Sequence, residues 1–89
     1  MAENDPQIEF PSPWEYRVFC EVPAFKAVED GVRAIVSELA LDELQCKAGA
    51  VSKSGSYRAL RVTATVKSKD EANLFGEKIK DLPGVKFIL

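Results

Sequence analysis

The sequence contains no histidine. That removes Ser-His-Asp and Cys-His catalysis and every zinc site that needs an imidazole. There are only two cysteines, Cys20 and Cys46, far apart and in no CxxC pair. In a cytosolic chain such isolated cysteines act as small buried hydrophobes. Long apolar runs are also missing: no stretch approaches the roughly 18–20 residues that cross a bilayer. The opening residues, MAENDPQIEF, have neither a basic nor an apolar segment of the signal-peptide kind. The expected location is therefore cytoplasmic, with no membrane partner. Basic excess is absent as well. The net charge is −2, which argues against a general nucleic-acid binder.

What remains is an ordinary globular composition, 46% hydrophobic and 29% charged, in 89 residues. That length fits one domain. So short a chain buries only about 60–65% of its unfolded surface, so association would help it.

Residues 1–13 hold three prolines and several polar groups, and predict a flexible or extended arm before a single domain at 14–89. Trp14 to Val22 alternates. Trp14, Tyr16, Val18, Cys20 and Val22 share an apolar face, and Glu15, Arg17, Phe19 and Glu21 share the other, which predicts a strand. Pro23 ends it. From Ala24 to about Ala40 the period changes, and Val28, Val32, Ile35, Val36 and Leu39 form a helix face. Gly31 costs about 1 kcal/mol there relative to alanine, and close approach to the sheet would explain it. Residues 41–44 are read as a short connection.

Gln45 to Ser68 reads as a β-hairpin with its turn at Ser54-Gly55-Ser56. In the second strand Leu60, Val62, Ala64 and Val66 face the core. Tyr57, Ala59, Arg61, Thr63, Thr65 and Lys67 face away, the alternation of an antiparallel sheet with one solvated side. Ser68-Lys69-Asp70-Glu71 is a capping box, in which the Glu71 carboxylate is expected to return to the Ser68 N–H. The helix it opens presents Ala72, Phe75, Ile79 and Leu82 and stops at Pro83-Gly84. Val85 to Leu89 is a last strand. The order βαββαβ, with right-handed crossovers, gives an α+β ferredoxin-like sandwich: a four-stranded antiparallel sheet in the order 4-1-3-2 with both helices on one face. The cysteines then lie on strands that are not neighbours, which argues against a disulfide.

The run Ile8-Glu9-Phe10-Pro11-Ser12-Pro13, the turn SKSGSY before RALRVTATV, and the ending LPGVKFIL resemble the YbeD-like family of small bacterial proteins of unknown function. The resemblance covers nearly the whole chain from Ile8. It implies an ACT-like, ferredoxin-like domain of the regulatory kind and carries no activity. The family commonly has a lysine directly before the turn glycine. Here that place holds Ser54 and the lysine is Lys53, and a one-residue shift in a strand reverses the face.

Two surfaces are candidate sites. The turn residues Ser52, Lys53, Ser54, Gly55 and Ser56 offer hydroxyls, an ammonium and a free backbone to an anion, or form only a polar hairpin loop. There is no GxxxxGK[ST]. The open sheet face would carry Arg17, Phe19, Tyr57, Arg61 and Thr63, joined by Lys86 or Ile88. Aromatic and arginine side chains there suit a protein interface. RNA recognition would want two aromatics at alternate positions of the third strand, where only Tyr57 is found. The loop Glu21 to Lys26 lacks the arginine and glycine of acylphosphatases and the glycine of an amino-acid-binding ACT site. No metal cluster or cofactor motif is read, and no catalysis is expected. The expected function is a small regulatory or interaction module with a protein partner or a second copy. Small-ligand sensing is the alternative and RNA binding the third reading.

Overall fold

The computed structural model describes residues 10–89. The elements follow in the order β1 (Ser12–Glu21), a 3-10 turn (Val22–Ala24), α1 (Phe25–Glu38), β2 (Asp42–Val51), β3 (Tyr57–Val66), α2 (Lys69–Lys80) and β4 (Val85–Ile88). The sheet order is β2-β3-β1-β4, with antiparallel neighbours. This is the expected ferredoxin-like arrangement, with β1 and β3 in the centre. Among the described residues no helix is long and apolar enough to cross a membrane.

The core forms where alternation on the strands meets helical periodicity. Val18 and Cys20 of β1 and Leu60, Val62, Ala64 and Val66 of β3 are buried against Val28, Val32, Ile35 and Val36 of α1 and Ala72, Phe75 and Ile79 of α2. Among the described residues no buried side-chain polar atom lacks a partner. Tyr16 illustrates how that is met: its hydroxyl donates to the Ala72 carbonyl at 2.8 Å, and its ring packs edge-on to Phe75. Gly76 leaves the room, because a Cβ there would stand 2.7 Å from the Tyr16 hydroxyl.

Several boundaries differ from the sequence pattern. β1 begins at Ser12, inside the expected arm. The Arg17 N–H and carbonyl bond Leu89 of the β4 side. By the two-residue period of a strand, Pro13 turns its nitrogen the same way, beyond the reach of β4, so its missing N–H breaks no ladder bond. Phe10 also joins the body, stacked on Trp14 at 6.3 Å. Ile8 and the rest of residues 1–9 lie outside the described residues.

The predicted connection at 41–44 is shorter, since β2 starts at Asp42. Residues Ala40 and Glu43 both take positive φ, 56° each. Ala40 ends α1 in a Schellman turn: Leu41 N–H bonds the Val36 carbonyl and Ala40 N–H bonds that of Ser37. Glu43 makes an irregularity between Asp42 and Gln45 that lets β2 pair earlier than its alternation indicates. Gly31 meets Leu82 rather than the sheet: a Cβ there would approach the leucine side chain to 2.8 Å. The capping box holds in part. Glu71 N–H donates to Ser68 Oγ at 3.1 Å, but the Glu71 carboxylate accepts from the N–H of Lys67 at 2.7 Å. Ser68 is extended, and the amide within reach is the earlier one. Lys67 itself leaves the open face and donates to the Ala40 carbonyl at 3.0 Å, at the negative end of α1.

Candidate functional site

The helices cover one side of the sheet and leave the other open. Arg17, Phe19, Tyr57, Arg61 and Thr63 all fall on the open side, with Arg17 and Arg61 exposed and Phe19 and Thr63 partly covered. Tyr57, at the start of β3, is 37% exposed. The residue that β4 contributes is Phe87. Ile88 sits opposite Val18 on the core side, because the register pairs Phe19 with Phe87. Those two rings stack at 4.6 Å with an 18° interplanar angle. Lys86 reaches the open side at its end, its ammonium 5.8 Å from the Tyr57 ring centroid.

The register brings cations together. Arg17 lies directly opposite Arg61, and Arg61 directly opposite Lys47. Like charges facing across a ladder disfavour the pairing. Glu15 answers one of them, with its carboxylate 2.7 Å from Arg61 Nε. Beside this row Gly49 and Ala59 supply almost no side chain, and the surface dips into a groove of about 440 Å³ lined also by Phe19, Arg17, Lys47 and Arg61. Gly49 suits the close packing there, because a Cβ would lie 3.0 Å from that of Ala59 and press it aside. A second depression runs from Arg61 and Lys47 to Glu15, Gln45 and Thr63.

Lys47, Gly49 and Phe87 were not singled out by the sequence pattern, which placed Ala59 outward on β3 without giving it a role. Lys47 and Phe87 are legible as outward residues only once β2 and β4 have a register, and bulges in both strands hide it. Arg58 is a further case. On the helix side it covers the Phe25 ring at 4.7 Å and donates to the Gly49 carbonyl.

The turn residues Ser52, Lys53, Ser54, Gly55 and Ser56 are exposed, and none lines either groove at the cation row. Their groups bond one another. Ser52 Oγ accepts from Tyr57 N–H, Ser54 Oγ accepts from Ser56 N–H, and Gly55 N–H bonds the Ser52 carbonyl. Gly55 has φ 76°, as the hairpin turn requires.

Cys20 and Cys46 are free thiols on β1 and β2. Burial pushes both above the ordinary thiol pKa. Arg58 opposes this at Cys20; at Cys46, Arg33 opposes it and Glu29 adds to it. Both therefore carry less thiolate at neutral pH than a free cysteine. Among the described residues no three Cys, Asp or Glu groups converge in a metal-holding arrangement.

Solved structures repeat this fold. Protein HP0495 from Helicobacter pylori superposes with a TM-score of 0.79 at 20% identity, over 100% of this chain and 93% of that one. The C-terminal domain of the MgtC protein from Mycobacterium tuberculosis gives 0.75 at 16% identity, over 94% and 89% of the two chains. The ACT domain from GTP pyrophosphokinase of Chlorobium tepidum gives 0.66 at 13%, over 86% and 94%. At these identities the likeness is one of fold. No curated protein matches the sequence significantly. Residues 5–89 match the model of a family described as a protein of unknown function, DUF493, and the chain belongs to that family.

Proposed function

We propose that the chain is a small cytoplasmic regulatory module of the ACT-like, YbeD-like kind, which recognises another molecule on its open sheet face and performs no catalysis. The uncovered face carries this reading. Both helices lie on the other side, and the open side places a stacked phenylalanine pair beside a row of three cations. Aromatic and arginine side chains are the usual anchors of a recognition surface. The fold likeness to an ACT domain supports the regulatory part of the reading. A protein partner or a second copy is the first expectation. Small-ligand sensing is the second, favoured by the groove over Gly49 and Ala59. RNA binding is third, and the net charge of −2 counts against it.

The test is affinity capture from native cytoplasm with the wild-type chain, Arg17→Glu and Arg61→Glu. Partners held by the wild type and lost from both variants, with neither variant melting lower than the wild type, support the reading. Retention of the same partners by both variants overturns it.

A further inference from the structure

The open face is graded along its strands, and the grading is specific enough to name a ligand chemistry. Cross-strand register divides it into rows. One row holds Arg17, Arg61 and Lys47 on three adjacent strands. The next row toward the hairpin turn holds Phe87, Phe19 and Ala59, with Gly49 against Ala59. The row on the other side holds Glu15, Thr63 and Gln45.

The cation row is under-compensated. Among the described residues its one ion pair is Arg61 with Glu15, while Arg17 and Lys47 each face Arg61 across the ladder. Three cations set side by side fit a group with more than one negative charge. The guanidinium fork fits phosphate oxygens in particular. The neighbouring row provides the complement. Gly49 and Ala59 keep the backbone bare, so a flat group can lie close to it. Phe19 is held on one side by Phe87 and borders the groove as a fixed aromatic wall. A volume of about 440 Å³ is within the range of small-molecule sites.

We propose that this groove binds a small organic phosphate with a flat apolar body, of the mononucleotide class. The phosphate lies on Arg17, Arg61 and Lys47, and the flat group lies over Gly49 and Ala59 against the Phe19 ring. An acidic peptide would use the cations but has no need of a bare floor beside an aromatic wall. A nucleic-acid strand would have to pass the Glu15 row in a chain of net negative charge. The inference rests on the open-face reading and supplies its ligand.

The experiment titrates the 15N-labelled full chain at low salt with four probes: AMP, inorganic phosphate, a glutamate-rich peptide containing one tryptophan, and a single-stranded hexanucleotide. AMP is expected to shift the amides of Arg17, Phe19, Lys47, Gly49, Ala59 and Arg61 saturably, and at lower concentration than phosphate does. Arg17→Gln and Lys47→Gln should each weaken AMP about tenfold, the effect of one lost charge-assisted contact. Phe19→Leu should weaken AMP and leave phosphate unchanged. Lys69→Gln, on α2, should change neither, and the same spectra show whether each variant is folded. If the peptide or the hexanucleotide shifts these amides and AMP does not, the ligand class is wrong and the open-face reading stands. If no probe shifts any amide of the face, the inference falls, and the open-face reading is decided by the affinity capture.

Discussion

Tyr16 and Gly76 show how one side chain sets what its neighbour can be. The tyrosine brings a hydroxyl under α2, where it needs an acceptor, and it finds the Ala72 carbonyl at 2.8 Å. The hydroxyl passes so close to the helix that only a glycine fits at position 76. Gly76→Ala adds helix propensity but forces the ring or the helix to move, and overpacking of this kind costs about 1–3 kcal/mol. Chemical denaturation should show the loss. In a Tyr16→Phe background the same substitution should cost less, since the nearest atom is gone; equal costs in the two backgrounds would exclude the contact as the cause. The thiols give a second residue-scale expectation. Burial raises Cys46 above its unfolded value. Its contribution is therefore fully present below the ordinary thiol pKa. It is lost as pH rises through the folded value, where the unfolded chain has already given up its proton. Cys20 and Tyr16, both raised chiefly by burial, shift stability in the same direction. Denaturant midpoints should fall from pH 7 into the alkaline range, and Cys46→Ala should make that fall shallower.

At the scale of elements, the end of α1 separates what a sequence displays from what only folding reveals. Helix ends are recognised by a glycine in the left-handed conformation, yet this helix stops at Ala40, which takes φ 56° without one. Leu41, buried beside Val36, and the Lys67 ammonium on the Ala40 carbonyl hold the turn in place of the missing residue. Ala40→Gly should thus stabilise the chain by about 1 kcal/mol, the penalty that left-handed alanine carries, read from the urea midpoint at constant slope. No change would mean that the tertiary contacts already remove the strain. The same contrast runs through the whole fold. β3 and both helix faces were legible, because strict alternation and three-to-four spacing report which side is buried. The β2 start was hidden by Glu43, whose positive φ breaks the alternation at the point where it would have been read. On β4 a register shift beside Cys20 decides that Phe87, rather than Ile88, joins the open face. Arg17, Phe19 and Arg61 could be placed outward from their own strands. Lys47 and Gly49 needed the pairing of β2 with β3, a non-local fact.

For the molecule as a whole, the open face stands against the interests of a small domain. A chain of 89 residues has a thin core and little stability to spare, yet it places Arg17, Arg61 and Lys47 in direct opposition on adjacent strands. Glu15 relieves only the central one. Residues kept for recognition commonly reduce the stability of the free protein, and their removal restores it. Lys47→Gln deletes one of the two repulsive pairs without disturbing the Arg61–Glu15 bond. It should therefore stabilise the isolated chain by about 0.5 kcal/mol at low ionic strength, the scale of a cross-strand charge pair. Screening gives this prediction its signature. At about 1 M salt, where charges act over only about 3 Å, the gain should vanish, whereas a gain from strand propensity or packing would persist. Lys69→Gln on α2, away from the sheet face, is the control and should show no such salt dependence. A Lys47→Gln variant that is less stable than the wild type at every salt concentration would show that the row is not in conflict with the fold. The physical case for an anionic ligand on this face would then lose its energetic ground.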